Sequence, residues 1–188
     1  MIKLLYIHGY NSTGNSNTAT QLKASFEGSN LEVHSPDVDP NPDISIPVLT
    51  NYIKEHGIRI VMGSSLGGFL ALKLKNLVDY TIICNPCVYP SIELPKIGAE
   101  DLAPKYKPYE YDVLSFDSET RAHTTAFLGL NDEVFSYKKE LEAENIRLIL
   151  TDDYHRMSTH TILNTIVPVI KELLPVDCAF SASSGGCL

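Results

Sequence analysis

Arg59-Ile60-Val61-Met62-Gly63-Ser64-Ser65-Leu66-Gly67-Gly68, running on into Phe69-Leu70-Ala71-Leu72-Lys73-Leu74, decides how this chain is read. An apolar, β-branched run stops at Gly63 and helical spacing starts at Leu66, so Ser65 falls on an abrupt turn between a buried strand and a helix. Such a turn brings together the residues two places before and two places after its apex, and glycine at both, as at Gly63 and Gly67, removes the colliding Cβ atoms. It also aims the first N–H groups of the helix, which lack intrahelical acceptors, at any anion formed on the serine. Ser65 is therefore the candidate nucleophile. Ser64 carries the same hydroxyl without the glycine spacing, and an inert Gly-Ser turn would not need a strand before it and a helix behind it.

Outward from this turn, strands and helices alternate. Residues 2–7, 31–35, 58–63, 80–84, 123–129 and 146–150 read as strands. Residues 18–26, 46–56, 66–77, a stretch ending near Asn145, and 161–174 read as helices, with Pro168 expected to bend or divide the last. The alternation predicts a three-layer α/β sandwich: a mostly parallel sheet of about six strands flanked by helices, its carboxyl-end loops gathered on one edge. The beat stops between Val88 and Thr120, a stretch that holds Pro90, Pro95, Pro104 and Pro108 together with Tyr89, Tyr106, Tyr109 and Tyr111. This is longer than an ordinary α/β connection. It is read as a small lid or acyl-pocket wall, with Val88, Tyr89 and Ile92 as candidate substrate contacts. The expected organisation is one domain over 1–175 with an insertion at about 88–120, then a Ser- and Gly-rich tail at 176–188.

With 188 residues, 44% of them apolar, the chain has the composition of an ordinary globular domain. Its 15 basic and 23 acidic residues leave a net charge of -8, and no Lys/Arg run is long enough to track a phosphate backbone, which argues against nucleic acid as a partner. No stretch approaches the roughly 18 apolar residues of a membrane span. The first apolar run is broken at His8 and Gly9, too soon for a signal peptide. A cytoplasmic protein is expected, and a homo-oligomer stays open. Cys84-Asn85-Pro86-Cys87 has the spacing of a redox pair or half a zinc site, but it closes a strand instead of opening a helix and no second such pair follows. Buried free thiols are the expectation.

A serine hydroxyl needs a base, and the base needs a carboxylate to orient it. Ser65, Asp132 and His155 follow three different strands, in the chain order expected of a strand-turn-helix nucleophile. Asp132 could instead cap the helix after it, with Glu133 as a weaker acid. His160 and His8 are the substitutes for His155 as base, although His8 precedes a polar loop that it could hold by a hydrogen bond. That loop, His8-Gly9-Tyr10-Asn11-Ser12-Thr13-Gly14, lacks the glycine spacing and lysine of a nucleotide site. Its expected part is to offer the N–H of Tyr10, together with that of Leu66, to a developing oxyanion. This chemistry needs no metal and no cofactor.

At these residues the chain resembles the α/β-hydrolases, and among them the small YqiA-like esterases. The family's N-terminal signature is matched by Ile7-His8-Gly9-Tyr10-Asn11-Ser12, its nucleophile elbow by Gly63-Ser64-Ser65-Leu66-Gly67-Gly68, and its Asn-Pro by Asn85-Pro86. Its acid loop is matched by Gly129-Leu130-Asn131-Asp132-Glu133-Val134 and its histidine loop by His155-Arg156. The resemblance spans about residues 2–174. It implies a compact α/β-hydrolase fold and an esterase or thioesterase, with a small-molecule acyl ester as partner and no membrane involved. Where the family tends to have glycines before the histidine, this chain has Asp152-Asp153, two carboxylates expected to repel anionic substrates.

Overall fold

The computed structural model describes residues 1–174, so the expected tail at 176–188 lies outside the described residues. Among these residues the strands β1 (Ile2–Ile7), β2 (Leu31–His34), β3 (Ile60–Ser64), β4 (Tyr80–Cys84), β5 (Thr124–Gly129) and β6 (Arg147–Thr151) form one sheet in the order β2-β1-β3-β4-β5-β6. Every pairing is parallel, so the expected mostly parallel sheet is wholly so. Register aligns Ile7 with Gly63, Ser64 with Cys84 and Gly129 with Thr151, which brings the loops after β1, β3, β4, β5 and β6 to one edge.

Side chains alternate across the strands with period two and feed two cores. Leu5, Ile7, Val61, Ile83, Ala126 and Leu128 pack beneath α2 (Pro42–His56), α3 (Leu66–Leu74) and Leu141 of α7 (Lys138–Ala143). Leu4, Tyr6, Ile60, Met62, Ile82 and Phe127 face the opposite way. They pack on α1 (Asn17–Phe26) and the closing helix, made of α8 (Thr159–Thr161), a π turn at Ile162–Ile166 and α9 (Val167–Glu172). The irregularity expected from Pro168 is that π turn, one turn before the ring that cannot donate an N–H. Among the described residues no helix is long and apolar enough to cross a membrane.

Strand ends shift from the sequence reading by one or two residues, and two larger differences have identifiable reasons. α2 starts four residues earlier than expected, because the Asn41 side chain accepts from the Asp43 N–H and Pro42 takes the first helical position, where its missing donor is harmless. Pro47 is then tolerated inside the helix. The second difference concerns residues 88–120, which carry the short helices α4 (Pro90–Glu93), α5 (Ala103–Tyr106) and α6 (Ser118–Ala122). α3 is buried at almost every position and so needs apolar cover on the side away from the sheet as well. Val88, Leu94, Ala99, Ala103, Tyr106, Val113 and Phe116 join its core. The Tyr106 ring meets Phe69 edge-on at 5.2 Å while its hydroxyl donates to the Pro40 carbonyl at 2.6 Å. The segment is thus built chiefly as the outer wall of α3.

Candidate active site

β3 gives way to α3 at Ser65, whose φ of 54° and ψ of -119° lie where side chains are strained by about 1–3 kcal/mol. Its neighbours over-determine that geometry. The Ser65 N–H donates to the Cys84 carbonyl at 3.0 Å, and its own carbonyl accepts from Gly68 at 2.9 Å and Cys87 at 3.0 Å. The glycine spacing is sterically compulsory: a Cβ on Gly63 would sit 2.0 Å from the Gly67 carbonyl oxygen, and one on Gly67 would sit 2.2 Å from that of Ile7.

The loop after β5 carries Asp132, whose buried carboxylate accepts from the N–H groups of Val134 at 2.9 Å and Phe135 at 3.2 Å. These bonds close a turn within the loop and are not the helix cap expected as the competing role, because α7 starts only at Lys138. The same carboxylate lies 3.0 and 3.1 Å from Nδ1 of His155, and Nε2 of His155 lies 3.0 Å from Oγ of Ser65. A carboxylate against Nδ1 accepts its proton, leaving Nε2 with the lone pair that receives the serine O–H. The Phe135 ring stands edge-on to the imidazole at 4.8 Å and further limits its rotation.

The rival residues are engaged elsewhere. Ser64 accepts from the Tyr6 hydroxyl at 3.2 Å, Glu133 accepts from the backbone N–H of His155 at 3.0 Å, and His160 contacts Asn164 on the exposed face of the last helix. His8 accepts the Val38 N–H at Nε2, 3.0 Å away, so its Nδ1 carries the proton donated to the Gly9 carbonyl at 2.9 Å. It ties the loop of Gly9 and Tyr10 to the strand β2 connection. The N–H groups of Tyr10 and Leu66 have no protein acceptor among the described residues. Gly9 lies so close that a Cβ there would be 3.2 Å from that of Ser65.

Asn85 is a positioning residue whose work the sequence did not disclose. It is buried at the end of β4 with φ of 41°, and its Oδ1 accepts the Gly129 N–H at 2.8 Å. Its Nδ2 donates to the carbonyls of Tyr154 at 3.0 Å and His155 at 2.9 Å. One amide thus joins the loop after β4, the end of β5 and the histidine loop. The available signal was an asparagine, followed by proline, closing an apolar strand where a polar side chain needs partners.

A cavity of about 400 Å³ opens beside Ser65 and His155, bounded by Tyr6, Tyr10, Arg156 and Met157 among others. A smaller one of about 170 Å³ lies behind Tyr10 against Val38, Leu66 and Leu70. The expected substrate contacts do not line the cavity that holds Ser65. Val88 is sealed in the core beneath the outer wall, Tyr89 packs on Tyr137 at 5.5 Å, and Ile92 is exposed. Asp153 likewise turns inward, accepting from the Ser158 N–H at 3.1 Å, and Asp152 accepts from the Asn131 amide at 2.8 Å. Cys84 and Cys87 are buried free thiols, and burial pushes Cys84 up to about 12 and raises Cys87 further.

A strained serine between strand and helix on the carboxyl edge of a parallel sheet, followed in order by an acid after β5 and a histidine after β6, defines the α/β-hydrolase fold. The chain superposes on a putative hydrolase of the alpha/beta superfamily from Xanthomonas campestris pv. campestris (19% identity, 92% of this chain and 99% of that one, TM-score 0.60). It also superposes on a monoacylglycerol lipase from Paleococcus ferrophilus (12% identity, 91% and 93% covered, TM-score 0.71) and an esterase from Pyrococcus furiosus (16% identity, 92% and 82% covered, TM-score 0.68). At these identities the likeness is one of fold. The chain belongs to the family described as an uncharacterised protein family, UPF0227, whose model matches residues 3–170, in agreement with the YqiA-like motifs.

Proposed function

We propose that this protein is a serine hydrolase that cleaves small to medium carboxylic acyl esters through an acyl-enzyme, with Ser65, His155 and Asp132 as its catalytic triad. The observation that carries the reading is the unbroken path from Ser65 Oγ through both nitrogens of His155 to Asp132, with 3.0 Å at each step. Nε2 takes the hydroxyl proton as Oγ bonds to the ester carbonyl carbon, and the carbonyl electron pair moves onto oxygen. The N–H groups of Tyr10 and Leu66 are assigned to that oxyanion. Collapse re-forms the carbonyl and breaks the bond to the leaving oxygen, which receives the proton from His155. Water then repeats the sequence on the acyl-Ser65 carbonyl and releases the acid. Asp132 stays ionised and stabilises the imidazolium.

The cavity of about 400 Å³ lies near the lower end of the range for small-molecule sites, which supports acyl groups of about two to eight carbons over long-chain lipids. A 4-nitrophenyl ester series read by kcat/KM tests both parts. S65A, H155A and D132N should each lower kcat by roughly 10³ to 10⁶ with much smaller changes in KM. Efficiency should also stop rising before sixteen carbons. Near-normal turnover by S65A would overturn the mechanism, and efficiency still rising at sixteen carbons would overturn the size limit.

A further inference from the structure

Arg156 directly follows the triad histidine, is exposed, and lines the cavity that holds Ser65. Each of the other three arginines has a partner: Arg59 pairs with Asp79, Arg147 with Glu172, and Arg121 donates to the Phe116 carbonyl. Arg156 has none among the described residues. The cavity lining contains no Asp or Glu; its other polar groups are hydroxyls and amides, such as those of Ser12, Asn17 and Thr18. In a chain of net charge -8, Arg156 is therefore the fixed charge of that lining, and the carboxylates of Asp132 and Glu133, which contact His155, are not part of it.

We propose that Arg156 binds a carboxylate carried by the substrate, so that the preferred esters are anionic; this rests on the hydrolase reading above. A guanidinium presents paired donors that match a carboxylate, and it stands one residue from the group that protonates the leaving oxygen. Two features argue the other way, the first failing on geometry and the second on screening. The pair Asp152-Asp153 would repel an anion, but the Asp153 carboxylate is folded under Ser158, that of Asp152 accepts from Asn131, and neither lines the cavity. The overall acidic surface is screened beyond about 8 Å at physiological ionic strength, so a contact inside the cavity outweighs it.

The test compares paired esters with and without a carboxylate, following cleavage of the aryl ester alone and subtracting spontaneous hydrolysis. Mono-4-nitrophenyl adipate against 4-nitrophenyl hexanoate places the carboxylate on the acyl side. 3-Acetoxybenzoate against its methyl ester places it on the leaving side. In at least one pair the anionic-to-neutral ratio of kcat/KM should exceed one for the wild type. It should fall by about tenfold in R156Q, as loss of a charge-assisted hydrogen bond worth about 1.4 kcal/mol requires. R156K should fall between, and the wild-type preference should shrink as salt rises. A ratio below one in both pairs, or a ratio unchanged by R156Q, overturns the arginine assignment, while hydrolysis of the neutral esters keeps the hydrolase reading intact. Failure to hydrolyse any ester, together with no reaction of Ser65 with a fluorophosphonate, overturns both.

Discussion

Replacing Asn85 with glycine separates the amide's contribution from the backbone's, because glycine adopts the observed φ of 41° freely. N85G keeps the turn and removes three hydrogen bonds, those to Gly129, Tyr154 and His155. At about 1 kcal/mol net each, plus about 0.5–1 kcal/mol for the freer unfolded chain, the loss should be roughly 3–4 kcal/mol. For a chain of this size that corresponds to a fall in Tm of about 6–16 °C. The functional effect follows from what the amide holds. With the His155 carbonyl released, Nε2 no longer sits reliably within reach of Ser65 Oγ, and a displacement of about 1 Å costs on the order of 10²-fold. Turnover of a short soluble ester should fall about 10- to 100-fold while KM moves less than about threefold, since the altered contact acts mainly in the transition state. N85D should be worse than N85G, because its carboxylate would face two carbonyl oxygens. Differential scanning calorimetry and steady-state kinetics on the same preparations decide the matter. Wild-type Tm and kcat in N85G would refute the reasoning that one buried amide positions the histidine loop.

G67A should fail to assemble the elbow, since its Cβ would lie 2.2 Å from the Ile7 carbonyl oxygen; soluble G67A with wild-type ester turnover would contradict the close approach. Cys84, with burial holding its thiol up near 12, should be thiolate in only about one part in 10⁴ at pH 8. Site-resolved mass spectrometry should therefore find Cys84 unmodified by iodoacetamide until the protein is unfolded, and rapid native alkylation would reopen a redox role for the Cys84-x-x-Cys87 pair. H8F, which has no acceptor for the Val38 N–H, should loosen the loop of Gly9 and Tyr10, lowering kcat for a short ester several-fold with a modest loss of Tm; unchanged turnover would show that this tie does not govern the loop.

Much of the fold was legible because its signals are local. Apolar runs of strand length alternate with helical spacing, and Gly63-x-Ser65-x-Gly67 marks the junction that every other element surrounds. Ser65, Asp132 and His155 were legible because each ends or follows a strand on the edge where a parallel sheet gathers its loops. What was not legible depends on partners far apart in the chain. Tyr106 belongs to the core because α3 lacks a polar face, and the match between Phe69 and Tyr106 has no local signature. For the same reason Val88 and Ile92 could not be sorted into buried and exposed from their apolar character alone. Asp152 and Asp153 read alike but point to different partners, one to Asn131 and the other to Ser158. The cavity walls beside Ser65 come from the loop after β1 and the start of α1 on one side and the histidine loop on the other, more than 130 positions apart in the chain, and their meeting is a property of the sheet order.

The central claim is that Ser65 is an activated nucleophile because His155 and Asp132 are assembled on it. It is tested most directly by reacting the native protein with a fluorophosphonate and locating the adduct by intact mass and peptide mapping. One equivalent on Ser65 is predicted, with none in S65A and labelling slowed by orders of magnitude in H155A and D132N. Native protein that stays unlabelled, or carries the adduct on Ser64 or any residue other than Ser65, would contradict the account.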